Sequence, residues 1–170
     1  PTAGIGSRLG VLTSNINKSL LTLDNKPIIS HIIDLFPLDA EFIIALGYKG
    51  EIVKEFLENY YPHRKLDFVF IDPFIGDKSG LGFTLLSCSH LLQEPFVFIS
   101  CDTLVFDKIP APDHNWVAYS DKPIINSYRT VQIESDQVIN FKEKGEGLIG
   151  TDFPYIGLCG INNFYDFWEG

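Results

Sequence analysis

Short apolar runs alternate with amphipathic stretches along the first half of the chain. The segment 25–36 carries Ile28, Ile29, Ile32, Ile33 and Phe36 at helical spacing. Pro27 suits its first turn, Asp24 or Asn25 can cap it, and Pro37 ends it. Glu41–Leu46 is compact and apolar, reads as a strand, and is broken by Gly47. A second helix is predicted over 51–61, with Ile52, Val53, Phe56 and Leu57 on one face. A strand over 66–71, a polar loop with glycines over 72–82, a helix over 83–92 and a strand over 96–100 follow. Strands apolar on both faces and separated by helices predict a parallel sheet covered on both sides. After Asp102 the rhythm changes. Runs at 116–120, 127–135, 138–144 and 155–161 read as strands joined by short turns, an antiparallel extension. The expected fold is α/β, a Rossmann-like three-layer α/β/α sandwich with a mostly parallel central sheet.

Composition narrows the class. At 170 residues the chain is expected to make one domain, 1–170, with a real core. The hydrophobic fraction is 45% and the charged fraction 21%, a globular balance. A net charge of -9 argues against a surface that grips nucleic acid backbone, which takes clustered cations. No apolar run reaches the length of a membrane span, and nothing resembles a signal peptide. Cys88, Cys101 and Cys159 are odd in number and lack CxxC spacing, so they suggest neither a disulfide framework nor a zinc site, and a reducing cytoplasm fits them best. Methionine is absent and the chain begins inside a motif, so a fragment incomplete at both ends is expected.

That motif, "AGIGSRLG", carries the candidate chemistry. As a dinucleotide fingerprint it fails, because Gly10 comes one place late and "VLTSNINKSLL" does not continue as the helix that would carry a pyrophosphate. As a loop around a triphosphate it works. Gly4 and Gly6 let backbone N–H groups approach phosphate oxygens, Arg8 adds a forked cation, and Lys18 adds a mobile point charge. Such a turn sits at the carboxyl end of the first, central strand. About five to eight apolar residues are therefore expected upstream, the first strand being missing from this chain.

The longer stretch "AGIGSRLGVLTSNINKSLLTLDNKPIISHIID" resembles the signature of the sugar-phosphate nucleotidyltransferases, the nucleoside-diphosphate-sugar pyrophosphorylases. Gly4, Gly6, Ser7, Arg8, Leu9, Leu12, Thr13, Lys18, Leu20, Leu21, Lys26 and Pro27 fall in register; Val11 and Asn17 stand where that signature has prolines. The resemblance implies the nucleotide-diphospho-sugar transferase fold. It implies nucleotide binding by Ala3, Gly4, Gly6, Ser7, Arg8 and Lys18, and by Gly80, Leu81 and Gly82 in "SGLGF", with Phe83 where relatives carry a polar reader of the base. "CDT" would make Asp102 a magnesium ligand. "FKEKGEG" and "YIGLCGI" would bring Glu143, Lys144 and Gly157 to the acceptor. The catalytic set so implied is Arg8, Lys18 and Asp102. A second metal acid is not assigned, because Asp152 and Asp166 read as solvated loop acids.

The implied reaction is attack by an acceptor phosphate on the α-phosphorus of a nucleoside triphosphate, with loss of pyrophosphate. Both partners are anionic, so alignment and charge neutralisation matter more than proton transfer. The expected product is a nucleoside-diphosphate sugar, made with Mg2+ from a sugar 1-phosphate for surface polysaccharide or other glycan precursors. Two alternatives stand: a cytidylyltransferase acting on phosphocholine or another phosphorylated small molecule, and a catalytically inert binding or regulatory module. Expected partners are the triphosphate and the phosphorylated acceptor, with no nucleic acid and no membrane; homo-oligomerisation is left open.

Overall fold

The structure, a computed structural model, describes residues 1–76, 79–122 and 126–169. Part of the loop expected over 72–82, Asp77 and Lys78, lies outside the described residues. The chain groups into two compact units, one of Pro1–Glu94, Ser100–Pro110 and Phe164–Gly170, the other of Pro95–Ile99 and Ala111–Asn163.

In the first unit the segment after the opening turn is wound as two 3-10 pieces, Ser7–Thr13 and Lys18–Leu20, and not as an α-helix. A two-residue hairpin follows, β1 (Thr22–Leu23) against β2 (Lys26–Pro27). Asp24 and Asn25 form its turn with φ of 50° and 61°. Positive φ at both central residues is the mirror-image turn that suits a tight hairpin, and Asn and Asp tolerate it best. These residues therefore do not cap the next helix as the sequence suggested; Pro27 sits at its N-cap.

Helix α1 (Ile28–Ile33) is shorter than its apolar pattern, with Ile29, Ile32 and Ile33 buried. Its end is capped from a distance. The Arg64 guanidinium donates to the carbonyls of Ile33 at 3.2 Å and Phe36 at 3.1 Å, and also to that of Pro37. Strand β3 (Glu41–Leu46), helix α2 (Gly50–Tyr60) and strand β4 (Lys65–Phe70) make the expected crossover, the two strands pairing in parallel from Glu41 opposite Lys65 to Leu46 opposite Phe70. Helix α3 (Leu81–Cys88) follows.

Alternation along β3 feeds two cores. Ile44 and Leu46 pack with Leu20, Ile29, Ile33, Val53 and Leu57, while Ala45 packs on the other side with Ala3, Ile71 and Cys88. Burial on both faces explains why this strand shows no polar alternation. Within α2 the expected face is half right: Val53 and Leu57 are fully buried, whereas Ile52 is exposed.

The second unit is an antiparallel sheet of β5 (Phe96–Ile99), β6 (Trp116–Tyr119), β7 (Thr130–Glu134), β8 (Gln137–Lys142) and β9 (Asp152–Ile161). Its order is β5-β9-β7-β8, and β6 also pairs with β9. The ten-residue β9 bends at Gly157, whose φ is 77°. Before the bend Asp152–Pro154 pairs with β7; after it Leu158–Ile161 pairs with β5. Helix α4 (Phe164–Glu169), which the apolar pattern did not reveal, returns the chain to the first unit, where Trp168 Nε1 donates to the Leu92 carbonyl at 2.9 Å.

Candidate active site

The glycine turn is built against the carboxyl end of β3. The Thr2 amide and hydroxyl both donate to the Ala45 carbonyl, at 2.7 and 2.9 Å, and the Tyr48 amide donates to Ala3 O at 3.0 Å. Residues 2–3 and 45–48 thus ascend side by side. Gly47 permits this approach, because a Cβ there would lie 2.6 Å from Ala3 O and 2.8 Å from Phe74 Cβ. Such a contact is closer than van der Waals packing allows.

Beyond Ala3, which is buried, the chain surfaces at Gly4, Ser7 and Arg8. Gly4 is exposed, and a Cβ on it would meet nothing within 4 Å. Gly6 differs. It adopts φ 68°, and a Cβ on it would press on Thr13 Cγ2 at 3.0 Å and Lys18 Cβ at 3.2 Å. Only glycine combines that left-handed backbone with so close a lysine stem.

Lys18 and Asp102, 84 residues apart, meet: Nζ lies 2.8 Å from Oδ2. The lysine side chain is 23% exposed and the aspartate 61%, so the ammonium is sheltered while the carboxylate stays open to solvent. Partial burial pushes the Asp102 carboxyl up. The hydrogen bond and charge of Lys18, with the charge of Arg8, outweigh that and hold it below the usual carboxylate value. Neighbouring Cys101 is buried, and burial pushes its thiol up, the behaviour of a packed rather than a reactive cysteine.

These four groups, Gly6, Arg8, Lys18 and Asp102, are what the structure brings together from the sequence expectations. Gly80, Leu81 and Gly82 belong to the same unit, at the start of α3, with Leu81 and Gly82 exposed. Glu143, Lys144 and Gly157 belong to the second unit. There Glu143 and Lys144 are exposed, and the Glu143 carboxylate is held in a forked contact by Arg129 Nε at 3.0 and 3.1 Å.

One expectation is overturned. Asp152 is not a solvated loop acid but a buried one, its Oδ2 accepting from Lys142 Nζ at 2.7 Å and from the Leu148 amide at 2.6 Å. The Lys142 hydrogen bond, then the Leu148 amide, hold its carboxyl below the usual value. Asp166 does lie exposed, in the first turn of α4. The sequence reading also passed over Asn17, noted only as a missing proline. In the structure it is fully buried and bonded to three segments. It stands in a polar stretch, Thr13 to Ser19, so nothing in the local pattern marked it for burial.

Among the described residues no group of three or more His, Cys, Asp or Glu gathers as a metal cage. Asp102 alone nevertheless suits Mg2+, a hard cation that is commonly held by one or two carboxylates plus substrate phosphates and waters. Its carboxylate is accessible, anionic, and set beside the turn that would hold those phosphates.

No protein-family model matches the chain. It is 27% identical over 173 aligned positions to a glucose-1-phosphate cytidylyltransferase of Salmonella typhi, covering 85% of this chain and 67% of that protein. It is 30% identical over 104 positions to a UTP–glucose-1-phosphate uridylyltransferase of Haloferax volcanii, covering 60% of this chain and 41% of the relative. The structure of a UDP-glucose pyrophosphorylase complexed with UDP-glucose superimposes with a TM-score of 0.78 at 19% identity, over 99% of this chain and 77% of that one. The glycine turn, its register with Lys18 and these relatives make the chain similar to the sugar-phosphate nucleotidyltransferases, and it has the nucleotide-diphospho-sugar transferase fold.

Proposed function

We propose that this protein transfers a nucleoside monophosphate from a nucleoside triphosphate to a sugar 1-phosphate, releasing pyrophosphate and a nucleoside-diphosphate sugar. The observation that carries the reading is the meeting of Lys18 with Asp102 beside the Gly4–Arg8 turn. A cation, a carboxylate and a bare backbone turn, drawn from distant parts of the chain, form a place for a metal-bound triphosphate.

Each group has one task. The turn and Arg8 hold the β- and γ-phosphates and stabilise the departing pyrophosphate. Lys18 faces the α-phosphate, where negative charge grows in the transition state; a donor aimed at developing charge is worth about 3–4 kcal/mol. Ala3 and Ser7 flank the turn, and Gly80, Leu81 and Gly82, exposed at the start of α3, would take the base and ribose. Asp102 would hold Mg2+, whose chemistry when bound is to neutralise charge on the phosphate oxygens. Glu143, Lys144 and Gly157 take the acceptor, Lys144 orienting its phosphate. No general base is required, since the attacking phosphate is already ionised. No helix of the described residues is long and apolar enough to cross a membrane. The proposed setting is the cytoplasm, where nucleoside triphosphates and sugar phosphates occur.

The test is pyrophosphate release from the full chain, given each nucleoside triphosphate with Mg2+ and a panel of sugar 1-phosphates plus phosphocholine. Turnover with a sugar 1-phosphate is the expected result, and turnover with phosphocholine alone would move the acceptor assignment. Lys18→Ala and Asp102→Ala should each lower turnover about 10²- to 10³-fold while the far-UV spectrum stays native. Pyrophosphate release unaffected by either change would remove Lys18 and Asp102 from the mechanism, and release absent with every pair would point to an inert binding module.

A further inference from the structure

We propose that Asn17 is a positioning residue for the phosphate site: its buried amide locks the backbone that presents Lys18 to the glycine turn. The proposal rests on the triphosphate reading above and adds a residue that it does not use.

Asn17 is fully buried and caps the 3-10 turn Lys18–Leu20 from an extended backbone, φ −67° and ψ 142°. Its carboxamide satisfies all four of its hydrogen-bonding positions. Nδ2 donates to Thr2 O at 2.8 Å and Tyr48 O at 2.6 Å, and Oδ1 accepts from the Ser19 amide at 2.9 Å and the Ser19 hydroxyl at 2.8 Å. Two carbonyls can be met only by the amide nitrogen, so the orientation is fixed by chemistry.

The segments so joined are those that make the site. Thr2 leads into the glycine turn, and Ser19 follows Lys18. Tyr48 follows Gly47 and extends the tie: its hydroxyl donates to Thr13 O at 3.1 Å and Ser14 O at 2.9 Å. The Thr13 hydroxyl then donates to Gly6 O at 3.2 Å and Gly10 O at 3.3 Å. Asn17 therefore couples the start of the turn, its far end and the root of the lysine side chain.

A lysine ammonium rides on four flexible carbons and must reach the site from a fixed origin to be effective; catalytic groups need placement within about 0.5 Å. In the signature that this stretch resembles, proline stands here and would stiffen the chain through its ring. The φ of Asn17 is one that proline would impose. Asn17 attains the same backbone with hydrogen bonds, which also bind it to the two neighbouring segments.

The experiment uses Asn17→Asp, which keeps the shape and the Ser19 contacts but replaces the donor to Thr2 O and Tyr48 O by a carboxylate oxygen facing both. Binding of CTP, UTP, dTTP and GTP with Mg2+ is measured by calorimetry, and turnover by pyrophosphate release, in wild-type and Lys18→Gln backgrounds. A wild type that binds none of the four removes the triphosphate reading itself and with it the ground for this proposal. If wild type binds, Asn17→Asp should weaken affinity and turnover about 10- to 100-fold, two lost bonds to buried carbonyls. The KM for the acceptor should stay the same. In the Lys18→Gln background the further loss should shrink to about 3-fold or less, because both changes remove one effect. Wild-type affinity and turnover in Asn17→Asp, or an equal loss in both backgrounds, overturns the proposal. Ser19→Ala removes a single hydroxyl and decides the matter should Asn17→Asp fail to fold. About 2- to 10-fold weaker binding that vanishes with Lys18→Gln supports it, and unchanged binding overturns it.

Discussion

Asp152 offers the sharpest quantitative test of the structure. Its side chain has no exposure, that of Lys142 has 20%, and the two are 2.7 Å apart. The same carboxylate oxygen takes the Leu148 amide, so one buried charge closes the loop that carries Glu143 and Lys144. Breaking a buried pair from one side costs about 3–5 kcal/mol, because the remaining charge is left uncompensated. Asp152→Ala should fall near the low end, about 3 kcal/mol, since the long lysine can extend its ammonium to water. Lys142→Met should fall near the high end, about 4–5 kcal/mol, because the carboxylate has no such escape. The double variant Lys142→Met with Asp152→Ala should cost clearly less than the two singles added. Urea unfolding followed by circular dichroism reads all of these. The acid limb adds a check: a carboxyl held below its ordinary value stabilises above about pH 4 and loses that contribution as pH falls through the lowered folded value. Asp152→Ala should therefore show a shallower loss of stability on acidification. Single costs under about 1 kcal/mol, or an unchanged acid limb, would refute the argument.

Other outcomes follow from specific contacts. Leu57→Ala, at a fully buried site in the core beside β3, should cost about 2–5 kcal/mol in the same unfolding assay. Gly47→Ala should cost about 1–3 kcal/mol, because the new Cβ would push on Ala3 O, and calorimetry should find weaker triphosphate binding as the turn shifts. Gly157→Ala, at φ 77° in the bend of β9, should cost about 1–2 kcal/mol, visible as a lower melting temperature.

What could be read in the sequence was what a single strand or helix decides for itself. Strand β3 appears at Glu41–Leu46 as its apolar run predicted, and α2 buries Val53 and Leu57 as their spacing required. The glycine turn was legible because left-handed backbone and close approach leave few residue choices. What was hidden depends on who arrives from afar. Asp152 looked like a loop acid because Lys142 and the Leu148 amide, which make its burial tolerable, are assembled only by pairing of β7, β8 and β9. Asn17 was hidden for the same reason: its partners Thr2 and Tyr48 come from either side of it in sequence. Asp24 and Asn25 were ambiguous locally, since both residue types serve caps and hairpin turns alike, and the short strands around them settled the matter.

The placing of β9 has a consequence for how the chain comes into being. Three earlier strands, β5, β6 and β7, all wait for this one late partner, with Phe96 meeting Ile161 across the longest of these gaps. A chain emerging from the ribosome can thus close the β3–α2–β4 crossover and the β7–β8 hairpin early, while β5, β6 and the other edge of β7 remain unpaired until residues 152–161 have emerged. During that interval their apolar edges are exposed to whatever is near. It is there, more than in the finished molecule, that chaperone dependence or aggregation on rapid expression should originate.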